Sequence, residues 1–203
     1  MHATALESSY TNGTPTDVFA GNPFYPLSIP PVVCVYPLAD GTDGTFQTLD
    51  AMAQCVRGEV SPDFSGWSDS WIQKTASAIV GNAPGDCYGK AKRILDFVKT
   101  SIQYLPHPIN EQIVQDCRRT IEARSGDCVS MSVCIATLMA SLGYMVRFVV
   151  QFPEDLTGYS HVYAEVRDET GVWIAMDGVA TDKPLGWSQS LPSGGFETTY
   201  EIF

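Results

Sequence analysis

Apolar residues recur at helical intervals through the middle of the chain and at alternate positions after it. From Cys128 to Val146 no residue is charged, and Val129, Val133, Ala136, Leu138, Met139 and Leu142 repeat at helical spacing before Gly143, a natural C-terminal stop. This pattern predicts a central buried helix. Upstream, Thr48 to Gly58 fits a short helix ended by glycine. Residues 68–80 predict another, apolar at Trp71, Ile72, Ala76, Ile79 and Val80 and broken by Gly81-Asn82-Ala83-Pro84-Gly85. An amphipathic helix follows over 86–104, with Ala91, Ile94, Leu95, Val98 and Ile102 on one side and Lys90, Lys92, Arg93, Asp96 and Lys99 on the other. Pro106-His107-Pro108 requires a loop, and a further helix is expected over 111–121.

After Gly143 the period changes to two. Val146, Phe148 and Val150 alternate with Arg147, Val149 and Gln151, which predicts a mostly buried strand. Residues 160–167 and 172–177 read as two more, joined by the turn residues Asp168-Glu169-Thr170-Gly171. Helices first and strands after define an α+β domain with an antiparallel sheet. Residues 1–44 carry six of the thirteen prolines and no sustained helical period, so they read as an extended arm or irregular lobe with one short strand near 29–37. The domain proper is expected over 45–190. A tail over 191–203 ends in a possible edge strand at 198–203.

Composition narrows the partners. A net charge of −11 and a pI near 4.5 disfavour nucleic acid and anionic membrane, both of which repel such a chain at neutral pH. The N-terminal residues lack a basic segment and an apolar core, and the longest low-polarity run, 133–146, is too short to cross a bilayer. No secretory signal is therefore expected. The six cysteines form no C-x-x-C pair and no zinc-like spacing with histidine, and no D-x-D-x-D-G loop occurs. No metal and no cofactor are expected, and reduced thiols are the default.

Candidate chemistry concentrates at Arg124-Ser125-Gly126-Asp127-Cys128. Ser125 and Asp127 offer capping oxygens, Gly126 permits a tight turn, and Cys128 falls at the first turn of the uncharged helix. There the helix dipole and free N–H groups are expected to lower its pKa and to stabilise an oxyanion. A thiol nucleophile needs a base, and the chain has three histidines: His2 at the terminus, His107 between prolines, and His161 opening a strand. His161 shares a strand face with Tyr163 and Glu165. On the partner strand Trp173, Ala175 and Asp177 share a face. A three-residue loop, Asp168 to Thr170, with Gly171 in a left-handed bulge, would set Asp177 directly opposite His161 to fix its tautomer. Gly85-Asp86-Cys87 repeats the tripeptide, but the helix behind Cys87 is charged and superficial, so Cys128 is the better-held nucleophile. Cys34, Cys55, Cys117 and Cys134 read as structural. Glu165 and Arg167 read as solvated strand-end charges. Tyr159, Tyr163, Trp173 and Trp187 are candidates for an acyl-binding groove, with core packing as the competing role.

The order Ile102-Gln103-Tyr104, Ser125-Gly126-Asp127-Cys128, Leu142-Gly143-Tyr144, Val146 to Val150, His161 to Val166 and Trp173 to Asp177 resembles the transglutaminase-like superfamily, in particular stand-alone versions from tailed phages and prophages. The resemblance covers about residues 70–180 and implies a papain-like core with a Cys-His-Asp triad, matching Cys128 as nucleophile, His161 as base and Asp177 as orienting acid. Two positions depart from the pattern: Val129-Ser130 follow the nucleophile where acidic residues are common, and Gly178 stands where many members have proline. The resemblance implies acyl transfer on a protein or peptide amide through a thioester, resolved by water or by an amine. The alternative it carries is a virion or assembly component that uses the fold as an interaction module, with residues 1–44 gripping neighbours; either way the resemblance implies a place in the cytoplasm of a host cell or on a virion.

Overall fold

The computed structural model describes residues 33–37, 41–60, 70–106, 111–152, 154, 161–191 and 193–203. His2, His107 and Tyr159, and the expected arm before residue 33, lie outside the described residues. The fold is α+β. Helices α1 (Gly41–Val60), α2 (Ser70–Val80), α3 (Cys87–Ser101), α4 (Cys117–Ala123) and α5 (Cys128–Ser141) precede a four-stranded antiparallel sheet. Its order is β7 (Trp173–Met176), β6 (His161–Arg167), β5 (Val146–Phe152) and β8 (Phe196–Glu201). Two small sheets accompany it: β1 (Val33–Pro37) with β3 (Glu111–Gln115), and β2 (Gln103–Tyr104) with β4 (Ser125–Gly126).

Helix α5 is the hub. Every residue from Val129 to Met139 is buried, because α1, α2, α3 and α4 surround it and β6 closes the remaining side. A helix apolar all round has no face for water, and here it has none. Phe148, Val150, Val162, Ala164, Val166 and Met176 supply the sheet's half of this core. Val149, Tyr163 and Ala175 form a separate apolar cluster. They share the opposite sheet face, where the Gln151 Nε2 group donates to the Gln189 carbonyl at 2.8 Å. The tail strand β8 pairs along β5, stacks Phe196 on Phe152 at 4.8 Å, and is tied to α1 by Tyr200 with Asp50.

Three expected elements differ: helix α1 begins at Gly41 and not at Thr48, so the last residues of the segment expected as an extended arm are helical. Residues 111–115 are a strand and not the start of a helix: they pair antiparallel with β1, Val35 opposite Ile113, so an element 33–37 of the proline-rich segment is bound to its own domain. Asp116 then starts a shorter helix by accepting from the Arg119 N–H at 2.6 Å. Similarly, the helix expected to run to 104 ends at Ser101, because Gln103 and Tyr104 leave it to pair with Ser125 and Gly126. Asp86 caps its start through the Gly89 N–H at 2.9 Å.

The last turn of α1 meets the first turn of α4 through Glu59. Its carboxylate accepts from the Cys117 N–H at 3.2 Å, the Arg118 N–H at 3.4 Å and the Thr137 hydroxyl at 3.1 Å. Burial, and then the neighbouring Asp116 carboxylate, push Glu59 up from 4.5 to about 8, against those hydrogen bonds. A carboxyl whose folded pKa is raised favours the folded state while it is protonated, and the penalty grows as pH rises from 4.5 through 8. Thermal melts from pH 5 to pH 9 are therefore expected to show the native protein losing stability relative to Glu59→Gln as pH rises. Parallel curves would count against a buried, proton-holding Glu59.

Candidate active site

The approach to Cys128 is held from both sides. The Gln103 N–H donates to the Arg124 carbonyl at 2.8 Å and the Leu105 N–H to the Gly126 carbonyl at 3.0 Å, so β2 clamps β4 just before the helix. Arg124, at φ 52°, ends α4 in the left-handed region and redirects the chain into β4. Asp127 caps α5 by accepting from the Ser130 N–H at 2.9 Å.

Gly126 serves a purpose other than a turn, since its φ is not positive. A Cβ there would meet the Ser130 Cβ at 2.7 Å, an atom fixed on the first turn of α5. Gly126→Ala is expected to destabilise the fold by about 1–3 kcal/mol, as an overpacked methyl does. Urea unfolding reads this directly, and an unchanged midpoint would refute the steric role.

Cys128 opens α5 and is partly exposed. Its environment reverses the expected pKa. Burial first, and then the Asp127 carboxylate, push the thiol from 9.0 up to about 12, outweighing the Val162, Val129 and Cys128 N–H groups that pull it down. The helix start thus supplies donors to the sulfur, but desolvation and the capping acid outweigh them.

Residue 162 is where helix and sheet meet. Ala164 and Val166 face Met176 and Ile174 across β7, and Val162 is the next β6 residue whose backbone turns to that side. Strand β7 has ended there, and α5 takes its place. The Ser132 hydroxyl sits at 2.6 Å from the Cys128 carbonyl and 3.1 Å from the Val162 carbonyl, one proton shared between helix and strand. Its spacing of four from Cys128 hints at the first contact. The second is purely tertiary, and the sequence offered no sign of it.

His161 starts β6 and is 9% exposed; Asp177, just past β7, is 4% exposed. The imidazole Nε2 and the Asp177 Oδ2 are 2.8 Å apart. Asp177 is itself held, since its Oδ1 accepts from the Val179 N–H at 3.0 Å. With Nε2 bound to the acid, Nδ1 remains for another partner. The pairing arises from a register different from the expected one. Arg167 faces Trp173 and Glu165 faces Ala175, while the Asp168 N–H donates to the Val172 carbonyl at 2.9 Å. The loop is therefore Glu169 to Gly171, with Gly171 at φ 90°, one residue later than expected. That slip moves the position opposite His161 from 177 to 179, and Asp177 reaches the ring diagonally from beyond the strand end.

A Cβ at Gly178 would meet Val98 Cγ1 at 3.1 Å and Ile135 Cδ1 at 3.2 Å, so a larger residue there requires those two side chains to shift. The loop beyond it is pinned to α3, where the Lys99 ammonium donates to the Lys183 carbonyl at 2.8 Å.

The other sequence candidates separate from this site. Cys87 is fully buried at the opposite end of β6, with its N–H on Glu169 at 2.8 Å and its sulfur 3.8 Å from the Arg167 carbonyl. Six residues of strand put it roughly 20 Å from His161. Burial, then Glu169, push its thiol up to about 11. Glu165 is not a solvated charge: it binds Arg147 at 2.7 and 2.8 Å, and that guanidinium lies 4.2 Å from the centre of the Trp173 ring. One face of the Trp173 ring is thereby occupied by a cation. Tyr163 is buried beside His161, ring centres 6.1 Å apart, and burial raises its hydroxyl to about 12. Trp187 lies under the Lys183 ammonium at 5.7 Å. Tyr104, unnoticed as a site residue, is half-exposed on β2, with Cys128 and Asp127 near enough to raise its hydroxyl after burial has done so.

The model of the transglutaminase-like superfamily core matches residues 73–178, which contain Cys128, His161 and Asp177. No curated protein matches the chain at a significant level. Among solved structures, one described as a "Putative Cysteine Protease" from Cytophaga hutchinsonii aligns at 17% identity and TM-score 0.45, covering 64% of this chain and 46% of that one. Another, described as a "putative protease" from Parabacteroides distasonis, aligns at 14% identity and TM-score 0.47, covering 67% and 26%. The chain thus spans less than half the length of either structure. No helix among the described residues is long and apolar enough to cross a membrane. With just over half of its residues matched by that family model, the chain belongs to the transglutaminase-like superfamily.

Proposed function

We propose that this chain is a cysteine acyl-transfer enzyme acting on protein or peptide amides, with Cys128 as nucleophile, His161 as base and acid, and Asp177 as the group that orients the imidazole. The observation that carries the reading is the His161–Asp177 pair at 2.8 Å, on a strand whose next residue, Val162, meets the helix that Cys128 opens. In this reading the sulfur attacks the carbonyl carbon as its proton passes to His161 Nδ1. The imidazolium then gives that proton to the departing amine and a thioester remains. In this reading the proton moves in step with attack, because burial and Asp127 disfavour a free thiolate. The Cys128 N–H, at the helix start beside the sulfur, is the donor that the oxyanion takes over. Water or a second amine completes the cycle, giving hydrolysis or cross-linking.

The test has two arms. Iodoacetamide at pH 6 is expected to label Cys128 at least about tenfold faster than any other thiol, since in this reading His161 serves it as a base. A set of peptide amides, with and without a fluorescent primary amine, is expected to release ammonia or take up the amine with the native chain and not with Cys128→Ala. Uniformly slow labelling, or turnover surviving Cys128→Ala, would overturn the proposal.

A further inference from the structure

A second thiol site lies outside the chemistry above. Cys117 opens α4 and Cys134 sits midway along α5, and their sulfurs face each other at 3.4 Å with neither residue exposed. A disulfide measures about 2.05 Å, so each sulfur needs to move by only about 0.7 Å, a shift that small side-chain rotations supply. The two helices are already packed on one another, and neither has to leave its place for the sulfurs to meet. Backbone contacts on the Cys117 side are fixed as well, through its N–H on Glu59 at 3.2 Å.

We propose that Cys117 and Cys134 form an intramolecular disulfide under oxidising conditions, a covalent staple between α4 and the nucleophile helix α5. Two S–H bonds are lost and one S–S bond forms. Two protons and two electrons pass to a small-molecule oxidant: a diazene, reduced to its hydrazine, or a low-molecular-weight disulfide, reduced to two thiols. Closure is slow, because burial keeps Cys117 protonated and the oxidant arrives only when the seven-residue α4 opens. The partly exposed Cys128 reacts sooner. Helix α4 leads straight through Arg124 to Asp127, the residues that set Cys128 in place, so the staple anchors the front of that segment. Its main effect is on stability, by restricting the unfolded chain between residues 117 and 134. The inference does not depend on acyl transfer.

The full chain, with Cys128 first blocked by iodoacetamide in the native state, is treated with diamide, then denatured, alkylated and digested. The expected result is a Cys117–Cys134 linked peptide that disappears on reduction, with a Tm several degrees above that of the reduced protein. Cys117→Ala and Cys134→Ala should each lose both the linked peptide and the diamide-induced rise. Recovery of Cys117 and Cys134 as separately alkylated thiols after prolonged diamide treatment, linkage of either to a different cysteine, or a linked form no more heat-resistant than the reduced one would each overturn the proposal. Because the readout is mass and Tm in wild-type protein, a poorly folding variant does not remove the test.

Discussion

His161→Ala is expected to slow alkylation of Cys128 at pH 7 by about 10²–10⁴-fold, the range for loss of a positioned base. The argument starts from the sulfur. A thiol whose pKa burial and Asp127 push up to about 12 is almost wholly protonated at pH 7. An ordinary exposed cysteine, by contrast, is a few per cent thiolate. Without a base, then, Cys128 would be less reactive than a surface cysteine despite sitting at a helix start. In the variant, the labelling rate should climb with pH without a plateau until the thiol itself ionises. The native chain should be the faster at every pH below that rise. Stopped-time alkylation followed by peptide mass measurement gives both profiles. Superimposable curves would show that His161 does not serve Cys128.

Asp177→Asn should cost about 10²–10⁴-fold in the same assay and in turnover, although the side chain barely changes shape. The carboxylate accepts two bonds with its two oxygens, the Val179 N–H on Oδ1 and the imidazole on Oδ2. An amide has one acceptor and one donor. If its oxygen keeps Val179, its NH₂ faces Nε2 and forces the proton onto Nδ1, the nitrogen that must stay free. If the oxygen keeps the imidazole, the NH₂ opposes the Val179 N–H and leaves a buried donor unpaired, at about 1–3 kcal/mol. Neither orientation restores the native arrangement. The two effects are separable: thermal melting reads the unpaired donor, and the pH profile of alkylation reads the wrong tautomer. A variant with native rate and native profile would remove Asp177 from the proposed mechanism.

These expectations depend on parts of the protein that were unequally legible. Helix α5 could be read directly from the uncharged run, and its cap from Asp127, because both are local properties. The alternation in β5 and β6 was legible for the same reason. Residues 111–115 were not: Glu-Gln-Ile-Val-Gln accepts either conformation in isolation, and β1, some 75 residues upstream, decides for the strand. The hairpin register failed by one residue of loop, since Asp168 and Glu169 are both acceptable first loop residues and only the pairing of Asp168 with Val172 distinguishes them. Glu165 was misjudged because its counter-ion, Arg147, belongs to the neighbouring strand.

The α+β class, the helix that Cys128 opens with its cap, and the alternating strands β5 and β6 were determined by the sequence alone, since period, caps and turn residues act within a few positions of each other. The tertiary structure decided what those residues are worth chemically. Burial and Asp127 hold the sulfur protonated, the end of β7 lets α5 approach Val162, and a diagonal reach pairs His161 with Asp177. Each of these depends on which groups lose water and which strands stop where, and those are properties of distant segments brought into contact.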